Sequence, residues 1–368
     1  GVWKSVNSGQ NWTRVTTAGN CYSSTYDVGI GTAGTIFASN RNGLCKSTDG
    51  GTTWDELSPS GGAGQANNNP NNNKNSVTVF GSTVIYTNSK GPYNNPVFGD
   101  GKNGTAYKST DGGATWFELT SAQGFCGGQC FYDQYAAINP LAPEQVYFGG
   151  VDIASSSKGG LEVRDFAPFG AGMIIHSDQH SYGFASAATT YIGNDGGIYK
   201  SVDAGLNWLN LNKNLTGGLF MGISRSGDGT LMGGWQDNGS GRILGNAADK
   251  AWHVVYGGDG GYNKIDPGDS QKMYYTYIIS GNVTDSAVFR SGNGGMNATN
   301  IAPPAAVGVE TSMFYPTLFM DAETYQKVIL GFQNVWRSAD SGSNWTRIGD
   351  LRTADGNNIL AVHEAPSS

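Results

Sequence analysis

Five segments of this chain repeat one pattern: GVWKSVNSGQNW (Gly1–Trp12), GLCKSTDGGTTW (Gly43–Trp54), TAYKSTDGGATW (Thr105–Trp116), GIYKSVDAGLNW (Gly197–Trp208) and NVWRSADSGSNW (Asn334–Trp345). Their common core is Lys/Arg–Ser–x–Asp/Asn–x–Gly–x–x–Trp. A serine and an aspartate at fixed spacing suggest an active site, but a catalytic serine is needed once. Recurrence at equivalent places marks a structural unit. The pattern is that of a hairpin turn. Asp accepts hydrogen bonds from turn amides, Gly supplies a positive φ, and Ser ties the turn to the preceding strand. Trp buries a large ring against a neighbour. The residues assigned to this fastening role are Ser5, Asn7 and Trp12; Ser47, Asp49 and Trp54; Ser109, Asp111 and Trp116; Ser201, Asp203 and Trp208; Ser338, Asp340 and Trp345.

Each copy sits in a larger unit. Upstream lies an apolar run such as YAAINP (Tyr135–Pro140), then a second run ending in small residues, such as TIFASN (Thr35–Asn40) or VYFGG (Val146–Gly150). The Lys–Ser strand and the Trp strand follow. Four short strands, A to D, repeated every roughly 40–60 residues predict the blades of a β-propeller. Degenerate units run from Tyr132 to Val163, end in AWHVVY (Ala251–Tyr256), and contain AVFRSGNGG (Ala287–Gly295). The expected units are 1–16, 22–57, 74–119, 132–168, 174–212, 220–256, 260–303 and 314–350, with 358–366 as a closing or next-blade strand. The expectation is therefore a single all-β propeller over 1–368, with seven or eight four-stranded antiparallel blades. Eight C–D hairpins stand against seven A–B pairs, and the chain opens on a C strand. That imbalance favours an excerpt of a longer secreted chain over a thin closing blade.

Composition agrees. Gly fills 57 positions and charged residues only 14%, which suits short strands and tight turns rather than long helices. A net charge of −7 with 22 Lys and Arg argues against nucleic acid, which needs basic clusters. No apolar run reaches the roughly 18 residues of a membrane span. Four cysteines, Cys21, Cys45, Cys126 and Cys130, allow three pairings. Two glycines in CGGQC let Cys126 reach Cys130, which would leave Cys21 with Cys45; four unpaired thiols are the alternative. An even cysteine count in an Asn-rich, charge-poor chain points to an oxidising, secreted or cell-surface setting. NNNPNNN (Asn67–Asn73) reads as a solvated loop between blades.

The repeated core is similar to the Asp-box, or BNR, repeat, and the whole chain resembles Asp-box β-propellers. These include bacterial sialidases, two-propeller xyloglucan-hydrolysing glycosidases, sortilin-type receptors and large secreted bacterial surface proteins. HSDQHSYGF (His176–Phe184), GNDGGIYKS (Gly193–Ser201), GGWQDNGS (Gly233–Ser240) and YGGDGGYNKIDP (Tyr256–Pro267) look most like the surface group. The resemblance implies a fold rather than an activity. The hydrolase group uses two Asp residues near the face opposite the boxes, but its local catalytic motifs have no match here. The arginine-initiated motif of the sialidases is absent.

In a propeller of this kind strand A is innermost, so A starts and B ends share the face opposite the C–D turns. Polar residues gather at those positions. Tyr132, Asp133, His176, Asp178, His180 and Asp259 stand at A starts; Asn40, Arg41, Asp152, Asn194, Asp195, Gln236, Asp237, Gln333 and Asn334 stand at B ends. Two carboxylates can act as acid and base in glycoside cleavage, which makes Asp178, Asp195, Asp237 and Asp259 catalytic candidates by position. The ligand-binding candidates are Asp133, Asp178, His180, Asp195, Trp235, Gln236, Asp237, Asp259 and Gln333, with Trp235 and Tyr182 as sugar-stacking surfaces. The competing reading is that these acids cap strand ends and hold channel water. On a strand, His176 and His180 would stand roughly 13 Å apart, too far for one zinc, so no metal site is assigned. Calcium held by Asp and Asn oxygens suits such loops better, although no calcium-loop pattern is present. The expected function is a non-catalytic extracellular module that binds glycan or a surface protein through the acidic face. A glycoside hydrolase acting on β-glucan or xyloglucan-type polysaccharide is the alternative.

Overall fold

A computed structural model describes all residues except 17–18, 58, 60–73, 96–98, 166–174, 214–217, 249–250, 280, 322–323, 349–357 and 360–368. The Asn67–Asn73 loop and residues 360–366 of the expected closing strand lie outside the described residues. The fold is all-β. Among the described residues it contains seven four-stranded antiparallel sheets whose strands lie side by side in chain order, the arrangement of a β-propeller blade. Their A strands are Thr25–Ile30, Ser76–Phe80, Tyr135–Ile138, Gln179–Phe184, Phe220–Arg225, Gly260–Asp266 and Thr317–Met320. Their D strands are Asp55–Leu57, Phe117–Glu118, Arg164–Asp165, Leu209–Asn210, His253–Tyr256, Thr299–Asn300 and Thr346–Arg347. Trp3–Lys4 pairs with Thr13–Arg14 as a separate hairpin, and Tyr93–Asn95 pairs with Gly99–Lys102 in an insertion between the B and C strands of the second sheet.

The chain forms two compact units, Gly1–Leu215 and Thr216–Ser368. In the first unit each A strand packs beside the next, and polar side chains stitch the sheets near their A strands. Ser76 Oγ donates to Asp27 Oδ2 at 2.8 Å, and Thr87 Oγ1 donates to Gln134 Oε1 at 3.1 Å. Aromatic and branched side chains, including Phe37, Ile85, Tyr147 and Phe148, fill the space between sheets. In the second unit Ser224 Oγ donates to Asn263 Oδ1 at 2.6 Å, and the core gathers around Met273, Tyr275 and Phe289 and around Val328, Leu330 and Phe332. Two disulfides are present, Cys21–Cys45 and Cys126–Cys130, with Cα separations of 5.9 and 5.1 Å.

The repeated turns share one set of bonds. Ser47 Oγ donates to Asp49 Oδ1 at 2.8 Å and accepts from the Gly51 amide at 2.8 Å. Asp49 also accepts from the Thr53 amide, and Trp54 Nε1 donates to the Gly51 carbonyl at 3.0 Å. The Ser–Asp and Ser–Gly ties recur around Ser109, Ser201 and Ser338, and around Ser5 with Asn7 in place of the aspartate; the Trp tie recurs at Trp12, Trp116 and Trp208, whereas Trp345 Nε1 has no hydrogen-bond partner among the described residues. Asn293 plays that part after Ser291 in the sixth sheet, while Ser156 accepts from the Gly160 and Lys158 amides and has no Asp or Trp tie among the described residues.

The motif's Lys/Arg position has a role that the repeat alone did not disclose. Lys4, Lys46 and Lys108 donate Nζ to the carbonyls of Gly50, Gly112 and Gly159, at 3.0, 2.7 and 2.9 Å. Arg290 Nη1 reaches the carbonyl of Ser341 at 2.8 Å. Each acceptor is the third residue after the first serine of the following unit's turn. The cation of one C strand thus sets the register of the next hairpin.

Candidate functional site

In the first unit the A-start and B-end residues of the third and fourth sheets converge. Asp178 precedes the fourth A strand and carries a positive φ of 62°, so the chain bends there and the strand begins only at Gln179. This bend separates His176 from His180. His176 approaches Gly196 and accepts at its carbonyl from Gln179 Nε2 and Asn194 Nδ2, whereas His180 faces Asp195. The expectation that His176 and His180 stand on one strand is corrected accordingly, because the strand begins at Gln179.

Asp195 receives two side chains. His180 Nε2 lies 2.7 Å from its Oδ1, and the Tyr132 hydroxyl donates to its Oδ2 at 2.9 Å. The Tyr132 and His180 rings meet edge to face at 4.8 Å. Asp178 accepts from Gln129 Nε2 at 2.8 Å, and Gln129 lies inside the loop closed by Cys126–Cys130. Carboxylate oxygens of Asp178 and Asp195 lie within 4.8 Å of one another.

Asp133 is fully buried, and neither of its carboxylate oxygens receives a hydrogen bond among the described residues. It faces the Asp178 carboxyl. Burial, and then the charge of Asp178, pushes the Asp133 carboxyl far above the usual carboxylate range. Burial likewise raises Asp178. Two carboxyls pressed together away from water cannot both stay ionised without a compensating positive charge.

In the second unit Asp237, also at positive φ (61°), donates its amide to Asp259 Oδ1 at 2.9 Å. The Tyr315 hydroxyl lies 3.5 Å from the same oxygen. Burial first, then the charges of Asp259 and Asp237, push the Tyr315 hydroxyl well above its ordinary value, so it stays protonated as a donor. Trp235 ends its B strand beside Phe220, at 4.7 Å between ring centroids, and Trp252, at 4.7 Å. Gly233 and Gly241 lie beneath these rings: a Cβ on Gly241 would meet Trp235 at 3.0 Å, and one on Gly233 would meet it at 3.2 Å. Phe220 is 43% and Trp252 38% exposed. Gln236 follows directly, its amide donating to the Leu219 carbonyl.

Other candidates have internal partners. Gln333 is buried and its Oε1 accepts from the Thr311 amide at 3.3 Å. Asn334 donates its amide and Nδ2 to Glu310, which also accepts from Trp336 Nε1. Asn40 is buried; its Nδ2 lies against Cys45 Sγ and its Oδ1 accepts from the Asn42 amide. The Arg41 amide donates to Ser24, and the Asp152 carbonyl accepts from Gly150. Tyr182 offers no stacking platform: its ring packs between Tyr135 and Phe184 and its hydroxyl donates to the Ala136 carbonyl. Sequence reasoning missed Gln129, Glu310 and Tyr315. Gln129 sits in the CGGQC loop, a signal that was available; Glu310 and Tyr315 belong to no repeat.

Blade-type sheets with polar residues at their A starts and B ends define the class, an all-β protein of the β-propeller fold. No protein-family model and no curated protein matches the chain. Among solved structures it is similar to a GH74 enzyme from Niastella koreensis at 14% identity and a TM-score of 0.39, over 89% of this chain and 66% of that one. It is similar to YCF48 from Cyanidioschyzon merolae at 14% identity and a TM-score of 0.36, over 84% and 92%. A GH74 xyloglucanase from Xanthomonas campestris matches at 14% identity and a TM-score of 0.24, over 95% and 74%. At such scores the functional reading rests on this chain's own residues. Two disulfides are compatible with a secreted protein, and among the described residues no helix is long and apolar enough to cross a membrane.

Proposed function

We propose that the chain is a non-catalytic, extracellular glycan-binding module whose repeated turns are Asp boxes. The observation that carries this reading is the aromatic trio of exposed Phe220 and Trp252 with half-buried Trp235 between them, flanked by Gln236 and Asp237. Sugar C–H faces stack on aromatic rings while polar groups at the rim take the hydroxyls. The glycines beneath the rings keep that bed flat, and no repeat requirement explains their presence.

The glycosidase alternative draws on one distance. The Asp178 and Asp195 oxygens, within 4.8 Å of each other, stand no farther apart than the roughly 5 Å of a retaining carboxylate pair. Burial weighs against it. Asp178 is 9% exposed and the Asp195 side chain 10%, which leaves a sugar ring no approach between them. The test pairs calorimetry on β-glucan and xyloglucan oligosaccharides with a reducing-sugar assay. Binding that Trp252→Ala weakens about tenfold, without sugar release, supports the module. Release that Asp178→Asn or Asp259→Asn abolishes establishes the hydrolase instead.

A further inference from the structure

The three rings that carry the glycan reading also limit how much of a sugar they can hold. Phe220 and Trp235 tilt by 40° with centroids 4.7 Å apart, and Phe220 and Trp252 by 53° at 5.8 Å. Trp235 and Trp252 meet edge to face, at 86° and 4.7 Å. Centroids this close mean that the rings touch. They leave no room among themselves for a caged ammonium, so a ligand lies on the rings and not between them. No two of the three planes are parallel. A polysaccharide ribbon lays successive sugar rings on successive parallel faces, and this cluster offers it one face at a time. Trp235 is the floor. Its six-membered ring lies over Gly233 and Gly241, and its five-membered ring abuts Gly218, where a Cβ would meet Nε1 at 3.1 Å. Trp252 stands perpendicular to that floor, and a chain laid along Trp235 meets it as a wall.

We infer that this surface takes one neutral sugar residue at a chain end, not a stretch of polysaccharide. The inference rests on the glycan reading above and narrows it. The largest centroid separation, 5.8 Å, is a span that a single pyranose ring covers. Trp235 ends its B strand, so the backbone turns away directly after the floor and places Gln236 and Asp237 at the rim. The Gln236 backbone is engaged on both sides: its amide donates to the Leu219 carbonyl and its carbonyl accepts from Asn238 Nδ2. Its side-chain amide makes no hydrogen bond among the described residues, and it offers a donor and an acceptor to the hydroxyls of one residue. Asp237 sets the charge. A carboxylate at the rim repels uronic and sialic acids and leaves neutral sugars as the class that fits.

The test is a length series by calorimetry on the full chain, with cellobiose, cellotetraose and cellohexaose and with xyloglucan oligosaccharides of rising length. A site for one chain end gains nothing from further rings, so dissociation constants within each series should agree within about twofold. An extended platform would add contact area with every ring. Trp252→Ala should weaken every length by the same factor of about ten, and Gln236→Ala by about fivefold. In competition at equal mass, a soluble β-glucan should compete more strongly after endoglucanase digestion, in proportion to the chain ends released. Affinity that climbs about tenfold or more from the shortest to the longest sugar overturns the single-residue site and leaves the glycan reading standing. Equal competition before and after digestion overturns it in the same way. Absence of heat with every sugar overturns the glycan reading itself, and this inference with it. The wild-type series decides among these outcomes even where a variant does not fold.

Discussion

At the scale of single residues, carboxyls in this protein divide by their surroundings. The turn aspartates are solvent-facing yet strongly bonded. Hydrogen bonds from the Thr53 amide and hydroxyl hold Asp49 at about 2, and the Asn344 side chain and amide hold Asp340 at about 2. A carboxyl whose folded pKa lies below its unfolded value binds fewer protons when folded, so its stabilisation is complete above roughly pH 4 and lost as pH falls toward 2. Thermal midpoints measured from pH 5 to pH 2 should therefore decline, and Asp49→Asn with Asp340→Asn should flatten part of that decline. Glu310 represents the opposite setting. It is buried and accepts three hydrogen bonds, from the Asn334 amide, Asn334 Nδ2 and Trp336 Nε1. Glu310→Ala strands those donors, and each unsatisfied buried group costs about 1–3 kcal/mol. A loss of about 3 kcal/mol or more in urea unfolding is expected, with Trp336 fluorescence as a local reporter.

At the scale of elements, the hairpins of Ser47, Ser109 and Ser338 are fastened twice: internally by the Ser–Asp and Ser–Gly ties, and externally by the Lys or Arg of the preceding unit. Lys46→Met removes the bond to the Gly112 carbonyl and leaves the hairpin's own ties intact. Hydrogen bonds from charged donors contribute about 1.5–3 kcal/mol, less where water competes, so a loss of about 1 kcal/mol is expected. Lys46→Met and Lys108→Met serve different hairpins, and their effects should add within about 0.5 kcal/mol by urea denaturation. Cys21–Cys45 pins the segment before the first sheet to its C strand across a separation of 24 residues. Replacing both cysteines with serine should cost about 3 kcal/mol on loop-closure grounds. These elements also show what a sequence discloses. The turn bonds run between residues four or fewer positions apart, so a repeated octapeptide was enough to read them. The lysine ties join successive units, and the Asp133–Asp178 contact joins successive sheets across a bend at a non-glycine positive φ. Neither leaves a local pattern. Tyr182 was misplaced for a related reason: the alternation of a strand does not say which of its faces meets the next sheet.

At the scale of the whole molecule, charge decides which class of ligand the proposal can tolerate. The chain carries −7 with only 14% charged residues, and the acids of the candidate site are largely engaged with internal donors. An uncharged sugar held by the Phe220, Trp235 and Trp252 rings, with Gln236 and Asp237 at the rim, forms no ion pair with the protein. Its affinity should then be nearly indifferent to salt. A basic protein docking on an acidic surface would behave otherwise, because its attraction fades as the Debye length shrinks from about 10 Å at 0.1 M toward about 3 Å at 1 M. Calorimetry with the tightest oligosaccharide at 50 and 500 mM NaCl should give dissociation constants within about twofold of each other. A loss of about tenfold or more over that range would reassign the surface to a cationic protein partner. Trp252→Ala separates the cases further, since it should weaken a stacking site about tenfold and leave an electrostatic one largely intact.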